Sequence, residues 1–200
     1  MRELAFTNMS SLIENLVDAL SPHLHIPFAL FGHSMGALIC FELARKLRHH
    51  RYKHPLQLFV AGHRAPHLRA QTPPIHDLPT PLFLEKLGEL GGTPDVVLRD
   101  PDMMQLFLPL LRADFKLLET YVFNENHALD CPITAFGGLD DKVASEEEMA
   151  AWSVHTRETF KLHMFPGGHF FLSHARLPLL RAIAADLSHR MVLSDVERAL

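Results

Sequence analysis

The sharpest chemical signal in the sequence is a serine between two glycines, Gly-His-Ser-Met-Gly at residues 32–36. A serine hydroxyl attacks a carbonyl carbon when a nearby base takes its proton and amide donors stabilise the resulting oxyanion. Gly-x-Ser-x-Gly is typical of a sharp strand-to-helix turn that lifts the serine above a sheet edge. The glycines are expected to keep this turn free of clashes. The run therefore predicts Ser34 as a nucleophile and the backbone amide of Met35 as an oxyanion donor.

A serine nucleophile needs a base, and the base needs a carboxylate that orients it. In folds built around this turn, the chain order is serine, acid, histidine. Two adjacent candidates for the acid, Asp140 and Asp141, follow the apolar stretch Ile133–Phe136 and two glycines. The turn favours Asp141, because a carboxylate three residues beyond Gly138 emerges on the far side of the turn. Asp140 suits a solvated turn position.

The base is expected after the last strand, where the sequence reads Pro-Gly-Gly-His-Phe-Phe at residues 166–171. The two glycines let the loop turn sharply and present His169. His163 lies inside the strand and His174 lies at the start of the next helix, so we expect both to be structural or at the surface. His33 lies on the wrong side of the serine to act as its base, and we expect it to pack behind the site.

Alternating strand and helix patterns are expected to position these residues. Strand-like apolar segments lie at 28–31, 56–61, 133–136 and 160–165, and helical periodicity covers 11–20, 35–48, 146–155 and 177–190. Strands that alternate with helices predict a parallel sheet of the α/β class. The continuous apolar run at 28–31 predicts a strand buried on both faces. A capping-box pattern at residues 11–14 marks the expected start of the first helix.

Residues 66–126 interrupt this alternation. Five prolines fall between Pro66 and Pro81, and helical patterns follow at 82–90 and 103–123. We expect this insertion to form a cap over one edge of the sheet, where connecting segments often carry function.

The composition excludes several classes of protein. A chain of 200 residues that is 48% hydrophobic and 21% charged fits one folded domain. A net charge of −4 provides no basic surface for nucleic acid or anionic lipid. No apolar run approaches the ~18 residues needed to span a membrane. Cys40 and Cys131 fit no disulfide scaffold or spaced ligand motif, so a reduced, cytoplasmic setting is expected.

The 15 histidines raise the possibility of a metal site. His49, His50 and His54 lie close together, but in a basic helix end and loop, where cations suit the helix dipole. No spacing of paired histidines, cysteines or glutamates provides the closed ligand set that a metal requires. We therefore expect neither a metal nor a cofactor.

The region around the serine resembles the type II thioesterases, which are stand-alone enzymes that accompany non-ribosomal peptide and polyketide synthases. The matching runs, which follow in order along essentially the whole chain, are residues 27–37, 64–66, 91–94, 112–115 and 166–171. The resemblance implies a single α/β-hydrolase domain over residues 1–200, with a mostly parallel central sheet and a helical lid at about 66–126. It also implies a catalytic triad of Ser34, Asp141 and His169.

The resemblance further implies a substrate and a partner. Acyl groups would be held as thioesters on the phosphopantetheine arm of a carrier protein, and the enzyme would act as a monomer. Leu82, Phe83, Phe107 and Leu111 of the lid could line an acyl pocket, or they could be ordinary packing within the lid. A general carboxylesterase of the same fold is the first alternative function.

One departure from the family concerns the start of the chain. Members of that family carry several strands, and a loop with proline and glycine, before the helix at Ser11. That loop supplies a second oxyanion amide. Because this sequence begins at Met1 with no such segment, we expect a domain that lacks its first strands, through a truncated gene model or degeneration. Met35 alone would then contact the oxyanion. A catalytically impaired protein that still binds a carrier protein is the second alternative.

Overall fold

The structure is a computed structural model that describes residues 5–48, 54–125 and 127–199. Its elements follow in the order α1 (Met9–Leu20), β1 (Leu30–His33), α2 (Met35–Leu47), β2 (Leu58–Ala61), α3 (Thr80–Leu90), α4 (Asp95–Leu98), α5 (Pro101–Glu119), β3 (Ile133–Gly138), α6 (Glu146–Ala150), β4 (Phe160–Phe165) and α7 (Arg176–Ala199). Short 3₁₀ turns cover Ser21–His23, Ala151–His155 and Phe171–Ser173.

The described strands form one parallel sheet in the spatial order β1-β2-β3-β4. Strands β2 and β3 are buried along their whole length. Their sequences are accordingly almost continuously apolar, as expected for strands covered on both faces. The predicted α/β class with a parallel sheet is confirmed.

Strand β1 differs from its prediction. It begins at Leu30, two residues later than expected, and its Phe31 is 41% exposed. The prediction that this strand is buried on both faces is therefore wrong for the described residues. The reason is that β1 lies at an edge of the sheet, where fewer neighbouring side chains cover it.

Aromatic rings dominate the core on one face of the sheet. Phe136 stacks between Phe59 and Phe165, with ring centroids 6.1 Å apart in both pairs. Leu179 of α7 packs on this cluster, so α7 covers the face that carries these rings. A buried polar contact also joins α7 to the sheet, because Thr134 donates a hydrogen bond of 2.7 Å to Asp186.

The start of α1 differs from the sequence expectation, whereas α6 starts at Glu146 as predicted. Helix α1 begins at Met9, and the side chain of Asn8 accepts from the amide of Ser11 at 3.3 Å. The predicted capping box at residues 11–14 is therefore wrong, since those residues lie inside the helix. A complete capping box instead starts α6, where Ser145 and Glu148 bond reciprocally to each other's backbone amides.

Several helix lengths also differ from the periodicity. The predicted helix at 146–155 is α-helical only to Ala150 and continues as a 3₁₀ turn to His155. Helix α5 ends at Glu119 instead of 123, and α7 extends to Ala199 instead of 190. The four-residue helix α4 was not predicted, because it is too short to display a helical period.

The chain separates into two compact units. Among the described residues, one comprises 5–14 and 69–124, and the other comprises 15–48, 54–68, 125 and 127–199. The insertion expected at 66–126 thus falls largely within the first unit, and its end at residue 126 lies outside the described residues. Its role as a lid on a single domain stays a prediction.

Two charged side chains of α5 contact the proline-rich segment within the smaller unit. The Glu119 carboxylate accepts from the amides of Ile75 and His76, at 2.8 and 3.0 Å. Arg112 donates to the carbonyl of Leu78 at 2.7 Å and stacks over Phe83, 4.5 Å from the ring centroid. These contacts fasten the proline-rich segment to the helix.

None of the helices that the described residues form is both long and apolar enough to cross a membrane. Within the same ranges, no group of three histidine, cysteine or acidic side chains is arranged to hold a metal ion. His49 and His50 lie outside the described residues.

Two buried histidines have unusual environments. His155 is 6% exposed, and its Nε2 lies 2.7 Å from Nδ1 of His67. Burial, with smaller contributions from His67 and Arg45, lowers the pKa of His155 to about 4. Burial likewise lowers the pKa of His63 to about 4. Both side chains are therefore neutral at pH 7.

We predict that the protein loses stability as the pH falls from 6.5 towards 4. In this window the unfolded histidines, with the ordinary pKa of 6.5, bind protons that the folded ones do not. Each buried histidine should cost about 2 kcal/mol of unfolding free energy at pH 5 relative to pH 7.5. Urea unfolding at the two pH values measures the loss.

The substitution His155→Phe should remove one histidine's share of this pH dependence, because phenylalanine keeps a ring against Phe41 and Trp152 but cannot titrate. The matched control is His54→Gln, which replaces an exposed histidine. An identical pH dependence in His155→Phe and the unaltered protein would contradict the prediction.

Candidate active site

Ser34 occupies the turn between β1 and α2, so the strand and helix predicted on its two sides are confirmed. Its backbone has φ +54°, and it is the one non-glycine residue with positive φ in the part of the chain that the structure describes. Such a conformation costs ~1–3 kcal/mol and persists where surrounding structure enforces it. The amide of Ser34 donates to the carbonyl of Ala61 in β2 at 2.8 Å, which ties the strained turn to the sheet.

The two glycines of the turn are not equivalent. A Cβ atom on Gly32 would lie 2.0 Å from the carbonyl oxygen of Gly36, whereas a Cβ on Gly36 would meet no atom within 4 Å. The prediction that a glycine is needed to avoid a clash is therefore confirmed at Gly32 and wrong at Gly36. The strand must pass very close to the first turn of α2, and only a glycine at position 32 permits this approach.

The structure brings Ser34, His169 and Asp141 together in one chain of hydrogen bonds. Nε2 of His169 lies 3.0 Å from Oγ of Ser34, and Nδ1 lies 3.0 Å from Oδ2 of Asp141. The other carboxylate oxygen of Asp141 accepts from the amides of Val143 and Ala144 at 2.7 and 3.4 Å. The Asp141 side chain is fully buried and that of His169 is 10% exposed.

The other candidates for the acid and the base, Asp140, His163 and His174, lie outside this chain of hydrogen bonds. Asp140 is exposed, and its backbone amide donates to Gly167 at 2.9 Å. His163 stacks on Phe136 with ring centroids 5.6 Å apart, and His174 lies at the surface.

The acid and base loops approach each other closely at a second glycine. A Cβ on Gly138 would lie 2.5 Å from the carbonyl oxygens of both Gly167 and Gly168. The loop that carries the acid therefore runs directly against the loop that carries the histidine. This contact explains why a glycine is needed at position 138, ahead of the predicted acid.

Met35 is the first residue of α2. Its amide has no acceptor within the helix, and it lies at the positive end of the helix dipole. An amide in this position can donate to negative charge that develops near Ser34.

His33 makes a contact that the sequence did not reveal. Its Nε2 lies 2.8 Å from the backbone carbonyl oxygen of His169, 136 positions away in the chain. Burial lowers the pKa of His33, an effect that outweighs the opposing hydrogen bond to His169. The sequence carries no signal for this contact, because its acceptor is a backbone atom that any residue would supply.

The four apolar side chains considered for an acyl pocket divide into two groups. Phe83 is fully buried inside the smaller unit, where it meets Phe115 edge-on at 5.5 Å, so it belongs to that unit's core. Leu82 and Phe107 are 49% and 40% exposed, and Leu111 is half-buried. A pocket role for these three stays a prediction.

A parallel sheet, a strained serine between strand and helix, and an acid and a histidine that follow later strands define an α/β-hydrolase. A family model described as a thioesterase domain matches residues 2–188. The chain belongs to the thioesterase family and is therefore a hydrolase that acts on thioester bonds. This confirms the resemblance noted in the sequence, and type II thioesterases are among the solved structures that it matches.

Three similar proteins illustrate this membership. The gramicidin S biosynthesis protein GrsT of Aneurinibacillus migulanus is 40% identical over 192 residues, which cover 96% of this chain and 74% of the relative. The linear gramicidin dehydrogenase LgrE of Brevibacillus parabrevis is 43% identical over 190 residues, covering 94% and 72% of the two chains. RedJ, a thioesterase from the prodiginine pathway of Streptomyces coelicolor, has a TM-score of 0.86 at 38% identity, covering 92% and 74%.

The crowding at the turn generates a prediction about stability. Gly32→Ala should destabilise the fold by about 2 kcal/mol or more, because its methyl group would overlap the backbone of α2. Gly36→Ala provides the matched control and should be close to neutral, since an added Cβ at this second residue of α2 meets no atom within 4 Å. Chemical unfolding measures both changes, and similar stabilities for the two variants would contradict the prediction.

Proposed function

We propose that this protein hydrolyses acyl thioesters carried on the phosphopantetheine arm of a carrier protein, with Ser34, His169 and Asp141 as its catalytic triad. The observation that carries the proposal is the hydrogen-bond chain through His169, with both links at 3.0 Å. These distances lie within the range required for proton transfer between a nucleophile and its base.

Asp141 sets the proton arrangement on His169. A carboxylate oxygen accepts, so Nδ1 of His169 carries a hydrogen and donates it to Asp141. In the neutral ring, Nε2 then has a free electron pair facing the hydroxyl of Ser34. Two backbone amides hold the carboxylate in place from its other oxygen, which fixes the orientation of the imidazole.

Acylation begins when Nε2 of His169 takes the proton of Ser34 and Oγ attacks the thioester carbonyl carbon. The carbonyl oxygen becomes an oxyanion, to which the Met35 amide donates. When this intermediate collapses, the carbon–sulfur bond breaks and His169 returns the proton to the departing sulfur. The products of this step are the free thiol and an ester between the acyl group and Ser34.

Deacylation repeats the sequence with water. His169 takes a proton from water, the hydroxide attacks the acyl–serine ester, and His169 gives the proton back to Oγ of Ser34. The acyl group leaves as a carboxylic acid. The imidazolium that forms transiently in both halves is stabilised by the buried carboxylate of Asp141.

The choice of substrate class is supported by the relatives. GrsT is named for gramicidin S biosynthesis and RedJ for the prodiginine pathway, in which it is a thioesterase. We infer that this chain likewise acts, as a monomer, in non-ribosomal peptide or polyketide biosynthesis, on intermediates bound to a carrier protein. The free thiol product would be the phosphopantetheine arm of that carrier.

A hydrolysis assay tests this function with an acyl group presented both as a carrier-protein thioester and as a p-nitrophenyl ester. The protein should hydrolyse the thioester with the higher kcat/KM. Ser34→Ala should lower this rate by about 10³-fold or more, because it removes the nucleophile. Ser153→Ala is the matched control, since that serine is exposed on a 3₁₀ turn, and it should leave the rate unchanged.

Two results would contradict the proposal. Faster hydrolysis of the simple ester than of the thioester would indicate a general carboxylesterase. Binding of the acylated carrier without turnover by the unaltered protein would indicate the catalytically impaired, carrier-binding alternative.

A pair of variants tests which of the two adjacent aspartates, Asp140 or Asp141, orients the base. Asp141→Asn should lower kcat by about 10²–10⁴-fold, because an amide can no longer hold the Nδ1–H tautomer or stabilise the imidazolium. Asp140→Asn should retain kcat within about twofold, as expected for a change on an exposed side chain. Steady-state kinetics on the same thioester measures both, and equal losses would argue against Asp141 as the acid.

A further inference from the structure

His33 connects the nucleophile and the base by a route outside the triad. It is the residue directly before Ser34, and its Nε2 lies 2.8 Å from the carbonyl oxygen of His169. A carbonyl oxygen can only accept, so Nε2 carries a hydrogen and donates it. One short backbone segment thus carries both the nucleophile and a donor that holds the backbone of the base.

The ring of His33 is confined on several sides. Its centroid lies 4.9 Å from that of His169 and 5.6 Å from that of Phe170. On another side lies Gly62, where an added Cβ would fall 2.9 Å from Nε2. This packing leaves the ring little freedom to turn away from the carbonyl, so the donor is preorganised.

The base loop needs such an anchor because of its sequence. Gly167, at φ +114°, and Gly168 precede His169, and glycines leave a backbone more conformational freedom than other residues do. The imidazole must nevertheless reach Ser34 and Asp141 at the same time. Backbone hydrogen bonds already hold the carbonyls of Gly167 and Gly168, and the bond from His33 extends this restraint to the carbonyl of His169 itself.

Burial also lowers the pKa of His33, which favours the uncharged ring beside His169. The lowered pKa means that the ring is neutral at pH 7, so no second positive charge lies beside His169 when it becomes an imidazolium. A lysine or arginine would supply a donor too, but it would oppose that charge.

We propose that His33 is a positioning residue for the reaction, which holds His169 in register with Ser34 by donating a hydrogen bond to the His169 carbonyl. The inference rests on the proposed function of the triad. It assigns His33 no contact with substrate and no proton transfer.

A matched pair of variants tests the donor. The side-chain amide of glutamine places an N–H close to the position of Nε2, whereas methionine has a similar length and no donor. His33→Met should lower kcat for the acyl thioester by about 10–100-fold with KM within about twofold, because small misplacements of catalytic groups are costly. His33→Gln should recover kcat to within about fivefold of the unaltered protein. If His33→Met does not fold, His33→Asn replaces it, since its amide is polar but too short to reach the carbonyl.

A double-mutant cycle separates positioning from a general structural role. In the His169→Ala background, His33→Met should cause no further loss of the residual hydrolysis, because the group it positions is gone. Equal kcat for the glutamine and methionine variants, or the same loss with and without His169, would overturn the inference. An unaltered protein without thioesterase activity would instead overturn the proposed function itself.

Discussion

The strained turn at Ser34 is the constraint on which the rest of the site depends. A serine with φ +54° is stable only if the chain on both sides is held firmly. Strand β1 supplies one support through its pairing with β2, and α2 supplies the other by packing its first turn against Gly32. The same turn directs the Ser34 hydroxyl to His169 and places the Met35 amide at a helix N-terminus. The conformation that costs free energy is thus the one that presents the proposed nucleophile and the proposed oxyanion donor.

The parallel sheet explains how residues from distant parts of the chain meet at this turn. The carboxyl ends of β1, β3 and β4 lie along one edge, because all the strand pairs are parallel. Ser34, Asp141 and His169 each follow one of these strands, so a separation of 135 positions between serine and histidine becomes a distance of 3.0 Å. The loop after β3 also runs directly against the loop after β4, where Gly138 meets the carbonyl oxygens of Gly167 and Gly168.

The histidines of this protein differ in their burial and in their neighbours. Burial lowers the pKa of His33, His63 and His155, and these rings are neutral at pH 7. His155 is a buried core residue, whereas His33 donates to the backbone of His169. His169 itself lies between an acid and a hydroxyl, which is the environment of a general base. Depending on its neighbours, the same side chain is thus a core residue at His155, a proposed restraint at His33 and the proposed base at His169.

The sequence by itself determined the α/β class, the turn at Ser34 and the candidate residues His169 and Asp141. These predictions depend on local signals, namely the period of apolar residues and the glycines that a tight turn requires, and such signals lie within a few residues of the feature they predict. The resemblance to the type II thioesterases also required only the order of such runs along the chain.

Other features were decided by the tertiary structure alone. Phe31 is exposed on the edge strand β1, and Phe83 is buried in contact with Arg112 and Phe115. The hydrogen bond from His33 joins a side chain to a backbone carbonyl 136 positions away. Each of these is a contact between segments far apart in sequence, and only the folded chain determines which distant atoms become neighbours.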